Sequence, residues 1–488
     1  MPKRPGFLAL MATAAALFAA APAASEVMRI GSETYLVGDL LPTGQRITPL
    51  AAPGAMFRPL NPNLEALPDF VAGQAVEIAV SPDGRTMLAL TSGYNRNHGA
   101  DGKPVPALSN EYVFVFDISG REPIKHQVIQ VANTFLGIAW RPDNAGFFVA
   151  GGVDDNIHVC RSDAAAFIED GPPISLGHKA ANGLYAKPMA GGLSVSADGN
   201  RLLVANVQND SVIDIASRNV VAERDLRPGK IDPAKAGTPG GEFPLSVAWV
   251  SDRRAYVGSA RERELITLAI GPDTIEVGKR VAISGQPIKL IANRDRSRLF
   301  VAADNSDTVV VLDAKDGDVL AEFQTAAPPS VFLNAQGLRG ASPNNLALSP
   351  DEHTLFVTNG GLNTVAVVAL GADVVGDDDK PGDAKSDDEP KLAAKTAIVG
   401  LVPTSWYPNA VAFGQNGRTM YVVNGKSIAG PNPNGCLENV SPANDATDAC
   451  RSRNESDRAD AQAGGTRPSN APSGAQRQLS QRKAVPRQ

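Results

Sequence analysis

Leu346-Ala347-Leu348-Ser349-Pro350-Asp351-Glu352, followed by His353 and then Thr354-Leu355-Phe356-Val357-Thr358-Asn359, reads as an apolar strand, a tight reversal and a second apolar strand. A reversal between antiparallel strands needs a residue that tolerates positive φ and a side chain that bonds its own backbone, which Gly and Asp or Asn supply. The unit recurs. Ile78-Ala79-Val80-Ser81-Pro82-Asp83-Gly84 and Leu193-Ser194-Val195-Ser196-Ala197-Asp198-Gly199 are clear copies. Ile138-Ala139-Trp140-Arg141-Pro142-Asp143 keeps the turn, and Val411-Ala412-Phe413-Gly414-Gln415-Asn416-Gly417 keeps it with Asn for Asp. Val247-Ala248-Trp249-Val250-Ser251-Asp252 and Leu290-Ile291-Ala292-Asn293-Arg294-Asp295 are worn copies, which brings the number to seven. Second strands follow at 86–91, 146–150, 201–206, 255–259, 299–303, 354–359 and 419–424. They are rich in the Leu, Phe, Tyr and Val of half-buried strands.

Successive turn residues lie 43 to 65 positions apart. A four-stranded blade takes about 40 to 50 residues, so each spacing holds one blade and the excess is loop. The expected fold is all-β, a seven-bladed β-propeller over 24–435. Within it, 371–391 carries Asp373, Asp377, Asp378, Asp379, Asp383, Asp387, Asp388 and Glu389 without the ordered ligand spacing of a calcium loop, and reads as a solvated acidic loop. From 436 to 488 the strand pattern stops, and between Ser441 and Gln478 there is no Val, Ile, Leu, Met, Phe, Tyr or Trp. Such a segment buries too little apolar surface to offset its ordering entropy, so a disordered tail is expected. The last blade then lacks outer strands downstream. Glu33-Thr34-Tyr35-Leu36-Val37 and Gln45-Arg46-Ile47-Thr48-Pro49-Leu50 are the strand-like segments expected to close the ring.

Lys3 and Arg4 precede an uncharged stretch, 7–21, that ends at Ala21-Pro22-Ala23. This is the pattern of a signal peptide over 1–23, which places the mature chain in the periplasm or outside the cell. The stretch is too short for a stable membrane span. Lys plus Arg number 46 against 52 Asp plus Glu, and no long basic run precedes the tail, so nucleic acid is not an expected partner. Of three cysteines, Cys160 ends the alternating run Ile157-His158-Val159-Cys160 and reads as a packed apolar side chain. A pair between Cys436 and Cys450 would close a flexible loop rather than staple a core.

Leu355-Phe356-Val357-Thr358-Asn359 with Asn363-Thr364-Val365-Ala366-Val367-Val368, and Met420-Tyr421-Val422-Val423-Asn424, resemble the YVTN repeat of bacterial YncE-like propellers, over about 76–425. Four further stretches resemble the propeller part of bacterial proteins that join such a ring to an alkaline-phosphatase-like phosphoesterase domain. They are Leu90-Thr91-Ser92-Gly93-Tyr94-Asn95, Asn110-Glu111-Tyr112-Val113-Phe114-Val115-Phe116-Asp117, Gly151-Gly152-Val153-Asp154-Asp155-Asn156 and Pro403-Thr404-Ser405-Trp406-Tyr407-Pro408. Gly430-Pro431-Asn432-Pro433 resembles the link into that domain. The phosphoesterase domain which the resemblance implies does not follow, and the composition turns to Ser, Arg, Ala, Asn and Gln, as a frameshift or truncation would produce. No catalytic residue is carried over.

No paired cysteines with histidine for haem and no Gly-Lys-Ser or Gly-Lys-Thr loop for nucleotide phosphates occur, and His98, His126, His158, His178 and His353 are scattered. In a four-stranded meander the ends of the second strands and the turns after them gather on the face opposite the Asp turns. Tyr94, Asn95, Asp154, Asp155, His158, Asn206, Asn359 and Asn424 are the candidate ligand-binding residues on that face. Asn and Asp in turns also bond their own hairpins, which is the bland reading of each. Asp154 and Asp155 beside His158 form the sharpest subset, although neighbouring strand residues point to opposite faces. The expected function is a ligand-binding or protein-scaffolding module whose partner is a small molecule or a periplasmic protein. The alternative is a lactonase-like hydrolase with a metal held in the channel. No cofactor is identified.

Overall fold

The computed structural model describes residues 27–30, 33–36, 55–93, 97, 103–164, 166–178, 189–206, 209–326, 339–375, 395–414, 417–425 and 478–483. Six regular four-stranded antiparallel blades are formed. Their innermost strands are Ala75–Val80, Ala190–Val195, Pro244–Ser251, Gln286–Ala292, Pro343–Leu348 and Pro408–Phe413. The expectation of a seven-bladed ring is thereby corrected to six blades, because the second repeat builds an irregular five-stranded sheet instead. Its inner strand Ile138–Trp140 lies between Ala75–Val80 and Ala190–Val195. Its outer edge is split into Ala166–Glu169 and Ile174–Ser175, both paired with Asn156–Asp163. The cause lies in Asp170-Gly171-Pro172-Pro173: Gly171 sits at φ +71, and two prolines without N–H groups cannot continue a ladder.

Each Asp turn works as its chemistry requires. Ser81 Oγ donates to Asp83 Oδ1 at 2.6 Å and accepts from Thr86 N at 2.9 Å, while Gly84 takes φ +68. The Ser81 hydroxyl is the main reason that the Asp83 carboxyl lies below its ordinary range. Ser196 with Asp198 and Ser349 with Asp351 repeat the contact at 2.6 and 2.5 Å.

Hydrophobic clusters form between neighbouring blades rather than within them. Leu60, Phe70, Tyr112, Phe114 and Phe116 pack with Ala410, Tyr421 and Val423, so the first and last blades share one core. Trp140 and Trp249, at the same repeat position, each donate Nε1 at 3.0 Å to an inner-strand carbonyl of the preceding unit, Ala79 and Ser194. Cys160 is buried, as its alternation implies, and burial pushes its thiol up to about 12.

Ring closure differs from expectation. The last blade is completed by Gln478–Lys483 as third strand and Met56–Pro59 as fourth. Val27–Ile30 and Glu33–Leu36 pair with one another in a separate hairpin, and 45–50 lies outside the described residues. Met56–Pro59 prevails because it runs directly into Leu60, Phe70 and Ala72, which are buried in the core that the first and last blades share. The expected disordered tail is thus corrected at 478–483, while 436–477 lies outside the described residues, as does 376–391 of the acidic loop. No helix among the described residues is long and apolar enough to cross a membrane.

Candidate functional site

Six of the innermost strands share one irregularity. Register slips between Ala75 and Glu77, Ala190 and Leu193, Pro244 and Ser246, Pro287 and Lys289, Pro343 and Asn345, and Pro408 and Ala410. Before four of these strands stands a residue with left-handed backbone, Gln74, Phe243, Ser342 and Tyr407. A bulge leaves one residue unpaired and re-aims the side chains beside it. Here the bulges turn Glu77, Gly192, Ser246, Lys289 and Asn345 toward the axis, and with Gly137 of the second unit they line a channel of about 430 Å³.

Glu77 and Lys289 meet across this channel from the first and fifth units, with Lys289 Nζ 2.5 Å from Glu77 Oε2. Asn345 Nδ2 donates to Glu77 Oε1 at 3.0 Å. Glu77 and Asn345 are buried, and the Lys289 side chain retains 24 % of its exposure. A buried pair of this kind gives little net stability but is costly to leave half-made. Near the Asp-turn face the same channel is lined by Asn293, Arg294 and Arg296. Arg296 occupies the position that Gly84 and Gly199 hold in other units and carries φ +63. Among the described residues its guanidinium has no hydrogen-bond or ion-pair partner, whereas that of Arg294 donates to the Pro350 carbonyl at 2.7 Å.

The candidates read from sequence fall elsewhere. Asp154 and Asp155 diverge: Asp154 accepts both 2.9 Å bonds from Asn133 Nδ2, and Asp155 takes the backbone N–H and Nδ1 of His178, each at 2.7 Å. His158 instead faces Glu169, 2.7 Å from Nδ1. The three are therefore not brought together. Asn206, Asn359 and Asn424 are buried at the ends of second strands and do not line the channel, and Asn359 donates to the Thr325 carbonyl at 2.8 Å, tying one unit to the next. Tyr94 and Asn95 lie outside the described residues. Among the described residues no group of three or more His, Cys, Asp or Glu is placed to hold a metal ion.

His178 bridges two units, with Nδ1 on Asp155 and Nε2 3.2 Å from Glu223. The hydrogen bond to Asp155, before all else, raises its pKa above the ordinary 6.5, against the opposing effect of burial. A raised folded-state pKa contributes stability that is complete below the unfolded value and fades as pH rises through the folded one. His178→Gln is accordingly expected to cost about 1.5–3 kcal/mol at pH 6 and clearly less at pH 9. Urea denaturation at both values checks this, and an equal loss at the two would refute it.

No family model matches the chain, and no curated protein matches it in sequence. Among solved structures, U3-55K superimposes with a TM-score of 0.53 at 9% identity, over 88% of this chain and 98% of that one. Hydrazine synthase of Kuenenia stuttgartiensis gives 0.50 at 16% identity, over 73% and 93%. The periplasmic gluconolactonase PpgL of Pseudomonas aeruginosa gives 0.46 at 15%, over 77% and 93%. At such identities the first two likenesses show architecture alone: this chain is an all-β propeller.

Proposed function

We propose that the chain is a binding propeller that holds a small polar molecule in its central channel. The observation that carries this reading is the channel itself, about 430 Å³ with Glu77, Lys289, Ser246 and Asn345 converging in it. Sites for small molecules have volumes of roughly 300–1,000 Å³ and a few convergent polar groups on a rigid frame. Kinship with YVTN-type propellers and with the propeller half of phosphoesterase-like proteins belongs to the proposal, supported by the repeat residues at 355–359 and 420–424. Action in the periplasm or outside the cell is supported by Lys3, Arg4 and the uncharged stretch 7–21.

The test is a thermal-shift screen of small polar metabolites against the full chain and against Ser194→Phe, which fills the channel from its lining. A ligand that raises the melting temperature of the parent alone supports the reading. Equal shifts in both would place binding outside the channel. Turnover of a lactone, lost on chelation, would replace binding with hydrolysis.

A further inference from the structure

The channel lining is biased in charge. It holds three cations, Lys289, Arg294 and Arg296, and one carboxylate, Glu77, in a chain whose formal net charge is −6. The donors of Lys289 and Asn345 converge on that carboxylate, at 2.5 and 3.0 Å. A carboxylate held by an ammonium and an amide N–H is a strong charge-assisted arrangement, and nothing in it requires the carboxylate to belong to the protein. Arg296 adds a guanidinium that no described group satisfies, in a backbone conformation that a bulky side chain adopts only under strain. Lys289 lies three residues before the end of Gln286–Ala292, and Arg296 lies in the turn beyond. Strand rise separates their backbones by roughly 10 Å or more along the axis, so a ligand reaching both carries acidic groups at two ends.

We propose that the channel takes a small organic anion with carboxylates at both ends, that Lys289 and Asn345 hold one carboxylate, and that Glu77 is the internal occupant which the ligand must displace. Glu77 thereby sets affinity: it keeps the Lys289 ammonium paired when the channel is free and excludes weak monoanions, which gain too little from Lys289 alone to displace it. Arg296 receives the far carboxylate. This rests on the reading of the channel as the ligand site.

The test is calorimetric titration of the full chain with citrate, succinate, acetate and glycerol, with folding of each variant checked by circular dichroism. Citrate or succinate is expected to bind, and Glu77→Gln to bind at least about tenfold more tightly because the competitor is gone. Lys289→Gln should lose binding, as should the double variant Glu77→Gln with Lys289→Gln, which keeps the channel free of a lone buried charge should the single variants fold poorly. Acetate is expected to bind detectably to Glu77→Gln alone. Unchanged or weaker anion binding in Glu77→Gln, or none to any variant, would overturn the proposal. Glycerol binding that Ser194→Phe abolishes would overturn it too, yet leave the channel as a ligand site. The absence of any ligand sensitive to Ser194→Phe would remove both.

Discussion

Gly192→Val is expected to prevent folding or to cost more than about 3 kcal/mol, because the inner strands are at their closest around the axis. A Cβ at Gly192 would meet the Leu245 carbonyl oxygen at 2.4 Å and the Ser246 Cα at 3.0 Å. Both atoms are backbone of the adjacent inner strand, so neither has a rotamer to yield. Gly137 is equally confined, with the Gly191 carbonyl oxygen at 2.2 Å. Gly400 is the control: nothing lies within 4 Å of a Cβ there, and its φ is not left-handed. Gly400→Val should stay within about 0.5 kcal/mol of the parent. Urea denaturation separates the two, and a folded Gly192→Val of parental stability would show that the inner strands are not packed as described.

The second large effect concerns the seam of the ring. Deleting 478–488 removes the strand that pairs with Thr419–Asn424 on one side and Met56–Pro59 on the other. Both become open edges, and open edges recruit other chains. A lower melting temperature with aggregation is the expected phenotype. Deleting 441–470 should instead be tolerated. Val423 pairs with Leu479, so the ends that the intervening segment joins are already adjacent, and a shorter connection loses less entropy on closing. Melting curves with light scattering test both deletions. Aggregation of the internal deletion with a sound terminal one would reverse the assignment of the closing strand.

The repeat made the architecture legible, because Ser-Pro-Asp-Gly turns and paired apolar strands act through contacts of a few residues. Second strands at 86–91, 146–150, 201–206, 354–359 and 419–424 lie where the pattern put them. Closure was not legible, since Gln478-Leu479-Ser480-Gln481-Arg482-Lys483 has one apolar residue and its place depends on partners far away in sequence. The irregular second unit was written in Gly171-Pro172-Pro173, a breaker where a regular blade would carry its outer strand.

The channel residues carry a signal of their own in the sequence. The residue just before each repeat is Glu77, Gly137, Gly192, Ser246, Lys289, Asn345 or Ala410. In a fold where that position faces the axis, one Glu and one Lys in a column of otherwise uncharged residues mark a charge pair across the ring. Strand-end amides such as Asn359 looked more functional because they recur, but recurrence there reflects the joint between neighbouring units.

The most direct measurement is a crystal structure of the full chain purified from its own host with no ligand added. Density for a non-protein molecule in the channel, in contact with Lys289, is the expected result. A channel holding only ordered water around an intact Glu77–Lys289 pair, with a bound molecule elsewhere on the ring, would contradict it.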